Sequence, residues 1–230
     1  MSKLYFRYGA MNSGKSTALL QAAYNYEERG QQVLLAKPQI DTKGDAAIVS
    51  RLGMTRSVDF TVARDENIYA TFLTESARVL ERTGLPVSCL LIDEAQFLTE
   101  GQVDDLLRIA ILEGVPVLAY GIRTDFQTIA FPGSRRLLEI AHSLEELKTI
   151  CRCGRKAMFN ARKIGDRFVF DGDQVAIDTS SDLGASGAPA VSYESLCGAC
   201  YLEESLGVLN SGWRPKVDFS YRTAPDPDFT

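Results

Sequence analysis

An α/β fold with a largely parallel sheet flanked by helices, followed by a small β subdomain, is what this sequence predicts, and three observations carry that expectation. Short apolar runs alternate with stretches of helical spacing as far as Ile150. The first run leads through a glycine-bracketed loop into a helix. Beyond Ile150 the pattern changes to short β-like pieces enclosed by two pairs of cysteines. A chain of 230 residues has room for one domain of ordinary size and a small second one.

Residues 4–8 read as a buried strand and 16–29 as a helix stopped by Gly30. Residues 33–36, 87–92 and 115–120 are continuous apolar runs, the pattern of strands covered on both faces; Pro116 belongs at the start of its strand because it cannot donate to a ladder. Residues 76–82 and 99–112 carry helical spacing, the second stretch closed by Gly114. Residues 37–58 mix Asp, Lys, Gly and Arg without a period and read as a mobile surface segment. In the second part, 167–170 and 174–177 read as strands and 178–190 as a polar loop. The expected domains are therefore 1–150, 151–209 and a proline-containing, partly ordered tail, 210–230.

A net charge of −5 supplies no broad field for a long nucleic acid or an anionic membrane. Small phosphate ligands stay open, because a pocket's field is set by its nearest groups. The N-terminal apolar segment is too short for a signal peptide or a span, and the cysteine spacings suit metal ligation in a reducing compartment, so a cytoplasmic protein is expected.

Gly9-Ala10-Met11-Asn12-Ser13-Gly14-Lys15-Ser16 fits G-x-x-x-x-G-K-[ST] without a substitution, between a strand and a helix. Gly9 and Gly14 let backbone N–H groups turn toward phosphate oxygens, Lys15 offsets β/γ-phosphate charge, and the Ser16 hydroxyl suits Mg2+. An ordinary glycine turn with a surface lysine would not need that strand and helix. The domain is thus P-loop NTPase-like, and ATP or GTP is the expected ligand. The strand over 87–92 ends in Asp93-Glu94, where an acidic residue holds the magnesium side and a second has the reach to take a proton from an attacking hydroxyl.

Cys151-x-Cys153 and Cys197-x-x-Cys200 supply the ligand set of a closed tetrahedral zinc site, a staple for a subdomain too small to hold itself by apolar burial. Cys89 stands apart. His142, the sole histidine, is not needed as a ligand and falls in an expected helix, in a structural or exposed role.

The strings at 8–17, 91–97 (Leu-Ile-Asp-Glu-Ala-Gln-Phe), 120–126 (Tyr-Gly-Ile-Arg-Thr-Asp-Phe) and 147–151 together resemble the cytosolic type II thymidine kinases, especially bacterial ones, in order and spacing over nearly all of residues 3–203. The resemblance implies phosphorylation of the thymidine 5′-hydroxyl, with Glu94 as the base and Asp93 on the magnesium side. It implies that Met11, Phe97, Phe126 and Phe131 line the thymine pocket, that Gln96 follows the carboxylate pair, and that Tyr193 reaches over the nucleoside. Asp41 falls where the family carries an acidic residue near the phosphates; Lys43, Arg51 and Arg123 are cations that either neutralise triphosphate charge or are simply solvated. A zinc-bound subdomain with a lasso loop, here 178–193, a homotetramer and inhibition by thymidine triphosphate are implied as well.

This sequence departs from the family in reading Ile177-Asp178-Thr179 where Ile-Gly-Gly is usual, in a lengthened lasso, and in Gly198 where an arginine often stands. Two other readings stay open at this level: a P-loop ATPase switch moving a zinc domain, and a kinase for deoxyuridine or another deoxynucleoside.

Overall fold

Leu4–Tyr8 forms β1, the strand that everything else at the site is placed from, and it is flanked on both sides by parallel neighbours. The computed structural model describes residues 2–39, 47–51, 53–172 and 190–206. The chain packs into two units. Met1–Gly9, Gly14–Arg123 and Phe131–Leu147 make the first; Ala10–Ser13, Thr124–Ala130 and the chain from Lys148 onward make the second.

In the first unit α1 (Lys15–Glu27), β2 (Gln32–Pro38), β3 (Ala47–Val49), β4 (Thr55–Ser57), β5 (Phe60–Val62) and α2 (Ile68–Thr83) follow β1. Then come β6 (Val87–Ile92), α3 (Glu100–Leu112), β7 (Val117–Gly121), α4 (Pro132–Ile140) and β8 (Ser143–Glu146). Six strands form one sheet in the order β5-β2-β6-β7-β1-β8, every pairing parallel. Alternation along the strands gives the sheet two apolar faces. Leu34, Leu90, Ile92, Val117 and Ala119 join Phe72 and Val79 of α2 and Leu106 and Ile109 of α3. Leu35, Cys89, Leu91, Leu118 and Tyr120 join Leu19, Leu20 and Ala23 of α1. Each such side chain, fully buried, stabilises by about 1.5–3 kcal/mol, which is why near-continuous apolar runs were needed.

The structure corrects several expectations. The helix expected at 76–82 begins eight residues earlier, at Ile68, capped by Asn67, whose Oδ1 accepts from Ala70 N at 2.8 Å, and it ends at left-handed Gly84. Residues 37–58 are not one irregular segment: β3 and β4 pair as an antiparallel hairpin, Lys37 Nζ donates to Ala47 O, and Arg56 grips Glu27 with both nitrogens. His142 is not helical. It follows α4, and its Nδ1 accepts from Leu4 N at 3.1 Å while its own N–H donates to Leu4 O. Pro116 precedes β7, and α3 opens on a reciprocal Thr99/Gln102 capping box. Asp41 and Lys43 lie outside the described residues.

In the second unit β9 (Thr149–Ile150) pairs with β10 (Lys156–Ala157), and β11 (Phe159–Ile164) sits between β12 (Arg167–Val169) and β13 (Val191–Leu196), all antiparallel; α5 (Gly198–Glu204) follows. Its core is small: Ala157, Ala161, Leu196 and Tyr201 with two of the cysteines, edged by Phe159, Phe168 and Phe170. The expected strand at 174–177, the greater part of the lasso and the tail lie outside the described residues, whereas Tyr193 stands within β13, opposite Arg162. A Cβ on Gly198 would meet only the Phe159 ring at 3.5 Å, an ordinary contact. Among the described residues no helix is long and apolar enough to cross a membrane.

Candidate active site

The carboxyl ends of β1, β6 and β7 open on one edge of the parallel sheet, the edge where open α/β folds bind ligands. β1 delivers the Gly9–Ser16 loop there. Gly9 N is tied to Gly121 O, and left-handed backbone at Asn12 (φ 70°) and Gly14 (φ 77°) curls the loop into the N-terminus of α1. Gly14 meets that requirement without a Cβ penalty; Asn12 is among the side chains that tolerate it. Lys15 is only 9% exposed. Burial lowers its pKa below the ordinary lysine value, and the Glu94 and Asp93 carboxylates pull it back up. Such a buried cation is held by anions, and a polyphosphate is the anion its surroundings suit. Ser13 Oγ is buried without a hydrogen-bond partner among the described residues.

β6 ends in Asp93, and Ser16 Oγ donates to its Oδ2 at 3.2 Å, so the hydroxyl and carboxylate needed for a magnesium–nucleotide pair are adjacent. Burial, then the neighbouring Glu94 charge, raises the Asp93 carboxyl to about 6. Glu94 itself sits in left-handed backbone (φ 51°), a costly conformation for a glutamate and one that turns the chain into a short 3-10 turn at Ala95–Phe97. Gln96, 1% exposed, donates through Nε2 to Glu94 Oε2 and accepts from Ile122 N at 3.2 Å. It thereby fixes the Glu94 carboxylate relative to the end of β7. Gly121 makes this possible: a Cβ there would lie 2.7 Å from Gln96 Oε1. Gly133, near the start of α4, is as tightly placed, its Cβ position 2.5 Å from Ala95 O. Phe97 and Phe131 meet edge to face at 5.4 Å beside this turn. Arg51 is exposed yet near enough for its charge to lower the Lys15 pKa; Arg123 is half-buried just past β7.

Within the second unit, Phe126 is buried under the Arg162 guanidinium, 3.8 Å from the ring centroid, and its carbonyl accepts from Tyr201 Oη. The surrounding turn is held by Asp125 Oδ1, which accepts from Gln127 N and Ile129 N, and it places β-branched Thr128 at φ 66°. The Met11 N–H and C=O are both occupied: Asn160 Oδ1 accepts from the first at 2.7 Å and Ser195 Oγ donates to the second. Sequence reading passed over Asn160 and Ser195, since a single polar residue in a short strand carries no signal of its own.

The sulfurs of Cys151, Cys153, Cys197 and Cys200 all lie within 4.8 Å of one another, close to the separation of about 3.8 Å that a tetrahedral Zn–S shell of 2.3 Å requires. Burial raises the Cys197 and Cys200 thiols. At Cys153 burial is outweighed by hydrogen bonds from Arg155 N and the neighbouring cysteines, bringing it to about 7. Four sulfurs so near cannot ionise together without a cation among them, and the cluster fits a structural zinc.

A family model described as thymidine kinase matches residues 2–201. Relatives named thymidine kinase include one from Legionella pneumophila (strain Lens), 50% identical over 179 residues, covering 77% of this chain and 83% of the relative. One from Ruegeria pomeroyi is 46% identical over 180 residues (77% and 87%), and one from Idiomarina loihiensis is 51% identical over 164 residues (70% and 81%).

Proposed function

The chain belongs to the thymidine kinase family, and on that footing we propose that it transfers the γ-phosphoryl group of ATP to the thymidine 5′-hydroxyl, giving thymidine monophosphate in deoxynucleoside salvage. The observation that carries this reading is the convergence of Lys15, Ser16, Asp93 and Glu94 on one edge of the sheet. Phosphoryl transfer needs little covalent chemistry from the protein; it needs alignment and charge neutralisation.

In this reading Gly9, Ala10, Met11, Asn12, Ser13 and Gly14 shape the phosphate loop, whose backbone and Lys15 hold the triphosphate. Ser16 and Asp93 hold the Mg2+ that accompanies ATP and offsets its charge. Glu94 accepts the proton of the 5′-hydroxyl, aimed by Gln96. Family likeness assigns Met11, Gln96, Phe97, Phe126, Phe131 and Tyr193 to the nucleoside. Zn2+ on Cys151, Cys153, Cys197 and Cys200 is structural. A cytoplasmic homotetramer inhibited by thymidine triphosphate completes the proposal, supported by family likeness.

The test gives purified protein ATP, Mg2+ and a panel of nucleosides that includes deoxyuridine. Thymidine is expected to be the preferred acceptor. Glu94→Gln is expected to lower kcat by roughly 10²–10⁴-fold with MgATP affinity retained. Phosphorylation of no nucleoside refutes the kinase reading, and ATP turnover indifferent to nucleoside favours a switch.

A further inference from the structure

Asn160 and Ser195 face each other across the β11–β13 ladder, and both are nearly buried, at 3% and 6% exposed. Each makes a hydrogen bond to the same residue of the phosphate loop. Asn160 Oδ1 accepts from Met11 N and Ser195 Oγ donates to Met11 O, so both polar groups of that residue's backbone are held. Asn160 has a further bond, from Nδ2 to Thr124 O at 3.0 Å, which fixes its carboxamide and leaves Oδ1 no other orientation. The next residue is Asn12, at φ 70°, where the loop begins the curl that ends at Gly14.

We propose that Asn160 and Ser195 are positioning residues for ATP: the cross-strand pair clamps the Met11 backbone and so sets the curvature of the phosphate loop before nucleotide arrives. The physical reason is preorganisation. Amides that converge on phosphate oxygens repel one another when no anion is present, and a loop free to uncurl must be re-ordered on binding, which lowers affinity. A Met11 N–H committed to Asn160 is also withdrawn from the phosphate. The proposal rests on the reading of Gly9–Ser16 as the ATP loop but does not depend on the acceptor.

The test measures the Kd of MgATP by calorimetry, together with KM for ATP, in wild type, Ser195→Ala, Ser195→Thr and Asn160→Ser. Losing one buried hydrogen bond is expected to raise the Kd and KM for ATP roughly three- to tenfold in Ser195→Ala and Asn160→Ser. Ser195→Thr, which keeps the hydroxyl, restores ATP affinity. A second readout guards against simple loss of fold: hydrogen exchange of the Asn12–Ser16 amides speeds up in Ser195→Ala while that of β11 and α5 does not. ATP affinity unchanged in both variants, or uniformly faster exchange, overturns the clamp. Wild-type protein that binds no MgATP would instead remove the phosphate-loop reading itself.

Discussion

Replacing Asp93 by Asn should make the ligand-free protein more stable while weakening its binding of MgATP, with a pH dependence that identifies the cause. Asp93 is 5% exposed, and its carboxyl is raised to about 6 by burial and by Glu94. A carboxyl whose pKa is raised on folding holds its proton more tightly in the folded chain. The stability it contributes is complete below the unfolded value of 3.8 and is lost as pH rises through about 6. Two units correspond to roughly 3 kcal/mol at 1.36 kcal/mol per unit, a large part of the usual 5–15 kcal/mol of a domain. Asn cannot ionise and escapes that loss, and its carbonyl still accepts from Ser16 Oγ. Scanning calorimetry at pH 8 is expected to show a Tm for Asp93→Asn higher by roughly 5–10 °C, the gain shrinking below pH 6 and nearly gone at pH 4. MgATP binding is expected to fall by at least tenfold. A variant less stable than wild type at pH 8, or a gain independent of pH, refutes the argument from burial.

Three further outcomes follow from particular contacts. Gly121→Ala drives a methyl into Gln96 Oε1 and displaces the carboxamide that aims Glu94, so kcat is expected to drop roughly tenfold or more with little change in KM for ATP; steady-state kinetics at saturating thymidine decides it. Thr128→Gly relieves a β-branched residue held at φ 66°, and the strain of about 1–2 kcal/mol, less the entropy cost of glycine, is expected to leave a Tm gain of roughly 1–3 °C; a lower Tm contradicts it. Cys197→Ser removes one of the four clustered sulfurs and is expected to reduce bound zinc from about one per chain to near zero, with faster hydrogen exchange in β11 and β13; a zinc retained at full stoichiometry counts against the assignment.

Elements whose signal is local were legible in the sequence. β1, α1, β6 and α3 follow from apolar runs, a glycine loop and helical spacing closed by a glycine, each complete within a few neighbouring residues. α4 and β8 were not, because α4 fully buries only one large apolar side chain, Leu137, and β8 is the charged edge strand Ser-Leu-Glu-Glu. The hairpin of β3 and β4 was hidden by strands of three residues each, too short for any period to show.

By itself the sequence determined which groups the proposed chemistry would draw on. The spacing of Gly9, Gly14, Lys15 and Ser16, the pair Asp93-Glu94 at a strand's end and the two cysteine pairs are fixed by covalent neighbours, and the backbone can arrange them in few ways. Only the tertiary structure decided how those groups are held: Gln96 reaching Glu94 and Ile122, Gly121 giving it room, and Asn160 and Ser195 closing on Met11 from 149 and 184 residues away. Contacts of that kind leave no periodic trace, because a hydrogen bond between distant residues depends on where the sheets place them and not on the residues beside them in the chain.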